Sequence, residues 1–200
     1  MIEHVIVEGI DRLGKDTLIR GILDRFGFFQ VLHYQKPLLL KKYVMEASIH
    51  TVLAKETALR RYQIDSFMAM FEMMRNPSGP SFICNRAHLG EMVYAQRYRG
   101  YEGEYVFDIE DYHIDVLPNI LLVVLYTSNF SFISDDGQSL DVAQREEEQK
   151  DFLKAANRSK IPNKLLIDVH DGKGSFLPSE DILDAVCNAI SQSVTIGSED

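Results

Sequence analysis

The chain has 200 residues, 46% of them apolar, and a formal net charge of −9 at pH 7. That length and composition fit one globular domain spanning residues 1–200, and the acidic balance argues against non-specific binding to nucleic acid or an anionic membrane. Cys84 and Cys187 stand alone in their regions, which suggests neither a disulfide framework nor a zinc site. No apolar run is long enough to span a bilayer, and Glu3 and His4 interrupt any leader pattern, so a cytoplasmic setting is expected.

In chain order, the first apolar run, Val5–Val7, feeds Glu8-Gly9-Ile10-Asp11-Arg12-Leu13-Gly14-Lys15. Leu18, Ile19, Ile22, Leu23 and Phe26 follow at helical spacing, and Gly27 stops the helix. A strand, a glycine-framed loop ending in lysine and then a helix make a polyphosphate cradle. Backbone N–H groups from Gly9 through Leu13 and Gly14, together with the helix N-terminus, can hold phosphates while Lys15 reaches the outer ones. ATP is the expected donor. A second run, Phe28–His33, precedes Gln35-Lys36-Pro37 and Lys41-Lys42. One or two long helices are expected from about Ala47 to Arg75, ended by the breakers Asn76-Pro77-Ser78-Gly79-Pro80.

Further apolar runs fall at Ser81–Cys84, Ile120–Tyr126 and Lys164–Val169. Continuous rather than alternating apolar runs suit strands buried on both faces of a parallel sheet. The expected fold is therefore α/β, with five parallel strands between helical layers. Ser134-Asp135-Asp136-Gly137 reads as a turn. Ser139 or Asp141 can cap a following helix, whose Glu146, Glu147 and Glu148 read as a solvated face. Ser179 is placed as the cap of a last helix running through Ile190, and 197–200 as a frayed tail.

The loop Glu8 to Lys15 closely resembles that of thymidylate kinases, which read E-G-x-D-x-x-G-K, and especially the subgroup with arginine after the aspartate. The resemblance implies a P-loop kinase fold and transfer of the ATP γ-phosphate, with Mg²⁺, to a deoxynucleoside monophosphate, with dTMP the first acceptor. By resemblance Asp11 orients the acceptor sugar, Arg12 neutralises the phosphoryl group in flight, and Asn85-Arg86 matches the family's D-R at the strand end. Tyr94, eight residues on, falls where the family crowds the sugar 2′ position. Phe71 and Arg75 match a helix pair that stacks on thymine and donates to its O4, with Phe67 as a rival for the stacking role.

Three departures stand out. Asp16 replaces the usual metal-binding Ser or Thr, though Thr17 can supply a hydroxyl, and Asn85 replaces a carboxylate. A lid at about 129–148 holds only Arg145 as a candidate helper for ATP. Lys36 or Lys42 is the candidate for the acceptor phosphate, and Arg97 or Arg99 for a mobile cation. Family members are commonly homodimers. The competing readings are a broader or dGMP-directed monophosphate kinase, a deoxynucleoside kinase, and a catalytically weak nucleotide-binding protein.

Overall fold

The computed structural model describes residues 2–34, 49–133 and 142–195. Five strands, β1 (His4–Glu8), β2 (Phe29–His33), β3 (Ser81–Asn85), β4 (Ile120–Tyr126) and β5 (Asn163–Asp168), pair in parallel in the order β2-β3-β1-β4-β5. Between them run α1 (Lys15–Phe26), α2 (Ile49–Arg75), α3 (His88–Tyr94), a π-helical turn (Ala95–Arg99), α4 (Tyr105–Tyr112), a 3-10 turn (Leu117–Asn119), α5 (Val142–Arg158) and α6 (Ser179–Thr195).

Period-two alternation along the central strands assigns each side chain to one of two cores. Val5 and Val7 of β1, with Leu121, Val123 and Leu125 of β4, pack against α1 and α6. Ile6, Leu122 and Val124 point the other way, into a core shared with Phe67, Met70 and Phe71 of α2 and Ile109 of α4. The result is the expected three-layer α/β sandwich, here with a single long helix from Ile49 to Arg75.

Two local devices place the strand ends. At the amino edge, the Phe82 N–H donates to His4 Nδ1 (3.2 Å), so the ring proton sits on Nε2 and donates to Met74 O (3.0 Å). The end of α2 is thereby pinned at the amino edge of β1. At the carboxyl edge, Gly9 turns the chain at φ 127°, and a Cβ there would lie 2.3 Å from Leu125 O. Only glycine lets the loop pass that close to β4. Lys36, Lys42 and the centre of the expected lid, with Ser139 and Asp141, lie outside the described residues.

Candidate active site

The carboxyl ends of β1 and β3 gather most of the residues singled out in the sequence, as expected for an open parallel sheet. Lys15 is buried at the start of α1, and its Nζ curls back to donate to Gly9 O (2.9 Å) and Ile10 O. Burial first, and the nearby Arg86 guanidinium second, lower its pKa to about 8. Asp16 and Thr17, exposed in the first turn of α1, sit where a helix N-terminus favours anionic ligands and a carboxylate.

Arg86 follows β3 in the left-handed region at φ 66°, with its N–H donating to Val7 O (3.0 Å). Its guanidinium forms an ion pair with Asp11 and donates to the Tyr94 hydroxyl (2.6 Å). Tyr94 is thus a core tyrosine whose ring is buried while its oxygen holds Arg86. The two departures around the expected metal meet directly, because Asn85 Nδ2 donates to Asp16 Oδ1 at 2.6 Å.

A cavity of about 300 Å³ opens on the other side of the loop, lined by Arg12, Leu13, Gly14, Thr17, Leu18, Phe176 and Leu177 among others. That size and apolar lining suit a nucleobase. Its outer wall belongs to the segment after β5, which sequence reading left aside. There Phe132 stacks on His170 (5.4 Å, 11°) and meets Phe176 edge-on (4.6 Å, 80°), so the described start of the lid packs on the wall of this cavity.

On the Arg86 side of the loop a crevice is lined by Tyr34, Gln63, Phe67, Arg86, Gly90, Glu91, Tyr94 and Arg99. Its free volume is about 20 Å³, room for one water, so a base enters only if its walls part. Gln63 is nine-tenths buried, and the buried Arg99 Nε lacks a hydrogen-bond partner. Arg99 is otherwise held by Glu91, which also accepts from Tyr101 (2.8 Å) and Tyr105 (2.7 Å).

Several sequence expectations need correction. Phe71 is fully buried and stacks on His113 (5.2 Å, 20°), leaving no face for a base. Arg75 sits at the amino end of the sheet, opposite the phosphate loop, paired with Asp115 (2.9 Å) and Glu72 (2.7 Å). The i, i+4 spacing was right for a helix face, but the pair that faces the crevice is Gln63 and Phe67, two turns earlier. Arg97 does not turn toward the phosphate loop; it grips Asp151 of α5 through its Nε (3.0 Å). Glu146 and Glu147 are exposed as expected, but Glu148 is buried and accepts from Tyr98 OH at 2.7 Å. Arg145 is buried one turn before it.

No protein family's sequence model matches the chain, and no curated protein matches it by sequence. Solved structures do match along nearly the whole length. The YorR protein of Bacillus subtilis, in complex with phosphorylated GDP, aligns at TM-score 0.65 and 12% identity over 96% of this chain and 98% of that one. The thymidylate kinase of Candida albicans aligns at 0.55 and 12% over 96% and 92%. The deoxyadenosine kinase of M. mycoides, with dCMP and a flexible dCDP, aligns at 0.52 and 15% over 95% and 99%. At such identities the likeness establishes the fold, that of P-loop nucleotide and nucleoside kinases.

Proposed function

We propose that this protein transfers the γ-phosphate of ATP to a deoxynucleoside monophosphate, with dTMP the first candidate. The observation that carries the reading is the convergence of Lys15, Arg86 and Asp11 between a base-sized cavity and a polar crevice. Phosphoryl transfer asks for positioning and for cations on the developing oxygens more than for a strong base. Lys15 bridges the β- and γ-phosphates, Arg12 and Arg86 flank the group in flight, and Asp11 holds Arg86 and faces the acceptor sugar. Arg145, on α5, is an auxiliary cation for ATP.

Mg²⁺ fits the donor set. Asp16 and Thr17 offer one carboxylate and one hydroxyl beside the phosphate loop, and magnesium commonly takes one or two carboxylates, with substrate phosphates and water completing its shell. When bound it neutralises charge on the β- and γ-phosphates.

A phosphorylated acceptor is favoured over a free nucleoside by the segment after β2. A nucleoside kinase needs a carboxylate base near there, yet the chain has no Asp or Glu between Arg25 and Met45 and carries Lys36, Lys41 and Lys42 instead. The solved neighbours include kinases for both acceptor types, so the fold does not decide between them. For the base, the Gln63 carboxamide offers a donor and an acceptor, while the unpaired Arg99 Nε–H asks for a carbonyl. Thymine and guanine satisfy both, so dGMP is the second candidate.

The test is ADP release from Mg-ATP with dTMP, dUMP, dGMP, dCMP, dAMP and free thymidine offered separately. Turnover is expected with dTMP, then dGMP, and little with thymidine. Thymidine as the better acceptor would make the protein a nucleoside kinase. Silence with every monophosphate despite tight ATP binding would make it a nucleotide-binding protein. In the same assay Gln63→Ala is expected to raise the acceptor KM by about tenfold, the scale of one lost hydrogen-bonded contact in a buried site, with the KM for ATP unchanged. Arg75→Ala, at the far end of the same helix, is expected to leave the acceptor KM within about twofold, since its partners Asp115 and Glu72 lie outside the site.

A further inference from the structure

Glu8, the last residue of β1, is fully buried beside the phosphate loop, yet it is neither paired with Lys15 nor part of the phosphate cradle. Its Oε1 accepts from two backbone N–H groups across the sheet, Ala87 at 2.8 Å and Gly90 at 3.0 Å. These open the first turn of α3, where helix N–H groups have no partner within the helix. Its Oε2 has no hydrogen-bond partner, and a Cβ on Gly90 would stand 3.3 Å from it, so the carboxylate fills a slot that glycine keeps open.

Burial raises the Glu8 pKa, and the N–H groups of Gly90 and Ala87 oppose that rise. A carboxyl group is costly to bury this way when an apolar side chain would fill the same space. What the arrangement holds in place is the residue just before the clamp. Arg86 occupies the left-handed backbone region at φ 66°, a conformation that a long side chain adopts only where its surroundings impose it. Its own N–H is fixed by Val7 O, one residue before Glu8, so both sides of the Arg86 turn are tied to the end of β1.

We propose that Glu8 is a positioning residue: its carboxylate caps α3 across the sheet and holds the Arg86 turn, so that the guanidinium meets Asp11 and Tyr94 over the phosphate loop. The inference rests on the reading of Arg86 as a phosphate-binding cation. It makes Glu8 a part of the site that acts through geometry, without touching substrate.

Two readouts on the whole 200-residue chain test it. The first needs no substrate: amide hydrogen exchange over residues 84–90 by mass spectrometry. Glu8→Leu keeps the volume but removes the acceptor, and should speed exchange at Ala87 and Gly90 by at least about tenfold, whereas Glu8→Gln retains an acceptor oxygen and should leave it unchanged. The second is turnover of Mg-ATP with dTMP. Glu8→Leu should lower kcat at least about tenfold, leave ATP affinity within about threefold, and add less than about twofold to the loss already caused by Arg86→Ala. Glu8→Gln should restore most of the rate.

Unchanged exchange in Glu8→Leu, or losses that multiply with Arg86→Ala, would overturn the proposal. If Glu8→Leu does not fold, Glu8→Asp takes its place, since the shorter acid keeps the charge but cannot reach both N–H groups. Native-like exchange in that variant would count equally against the clamp. A wild-type protein inactive with every monophosphate would instead overturn the functional reading, and the exchange result would still decide whether Glu8 holds the turn.

Discussion

Lys15→Met is expected to lower kcat by about a thousandfold, close to 4 kcal/mol of transition-state stabilisation. Methionine approximates the stem in length and apolar packing, so the variant should fold and the loss should come from the missing charge. The lysine stem is almost wholly buried, and its ammonium now rests on the carbonyls of Gly9 and Ile10. Phosphate oxygens entering the loop would replace those carbonyls with full negative charge, and the cation gains most where charge accumulates during transfer. Single-turnover phosphoryl transfer from Mg-ATP measures the effect directly. A variant within tenfold of wild type would mean that the loop does not act on a γ-phosphate.

The same lysine gives a signature independent of turnover. Burial, reinforced by Arg86, brings its pKa down to about 8 from the ordinary lysine value of 10.5. Polyphosphate in the loop pushes the value back up, so binding at pH 8 should take up about half a proton, and almost none near pH 6.5 where the lysine is already charged. Calorimetry in two buffers of different ionisation enthalpy reads that number. The linked stability has a definite sign. Between about pH 8 and 10.5 the unfolded chain holds a proton that the folded chain has released, so this group makes folding more favourable as pH rises through that window. Lys15→Met should lose that increment relative to wild type, as seen in urea titrations at pH 7 and pH 9.

The parts of this molecule that could be read from sequence are those governed by local periodicity. The run Val5–Val7 followed by a glycine-framed loop fixes strand, turn and helix through neighbours a few residues apart, and the loop 9–14 stands between β1 and α1 where it was expected. The five apolar runs became five parallel strands because continuous burial on both faces leaves few other choices. Height along a long helix is a different matter. The helix Ile49–Arg75 is about 40 Å long at 1.5 Å per residue. Gln63, Phe67, Phe71 and Arg75 share one stripe, and only its first half lies beside the phosphate loop. Where that stripe meets the sheet is set by the His4–Met74 contact at the amino edge, a pairing seventy residues apart that leaves no periodic trace.

Glu148 went unrecognised for a related reason. Three consecutive glutamates look alike in sequence, but successive helical positions differ by about 100° in direction, so one turns inward to Tyr98 while two face solvent. The buried Glu91–Arg99 pair was likewise invisible, because a π-helical turn shifts the phase of every residue after it.

Asp16→Ser is expected to reduce Mg²⁺-dependent turnover by about a hundredfold, and Asn85→Asp added to it should return the rate to within about tenfold of wild type. The reasoning starts from one contact: Asn85 Nδ2 donates to Asp16 Oδ1 at 2.6 Å. The two side chains reach the same point from the ends of β3 and the loop, so a carboxylate on either one can present oxygen to a cation held by the phosphates. The chain carries one carboxylate and one amide there, where the resembling family carries a hydroxyl and a carboxylate. The amide donor orients Asp16, so the two positions should act as a unit, with single losses that do not add. Asn85→Asp alone places two carboxylates in contact without a donor between them. It should lower the Mg²⁺ concentration needed for half-maximal rate, because a bound cation relieves the mutual repulsion of the empty pair. Magnesium titrations of the four proteins separate these effects from misfolding, because a folded but metal-starved variant recovers with added ion and a damaged one does not. If the double variant stays as slow as Asp16→Ser at saturating Mg²⁺, the carboxylate has not simply changed places, and Asp16 serves the loop in some way that Asn85 does not share.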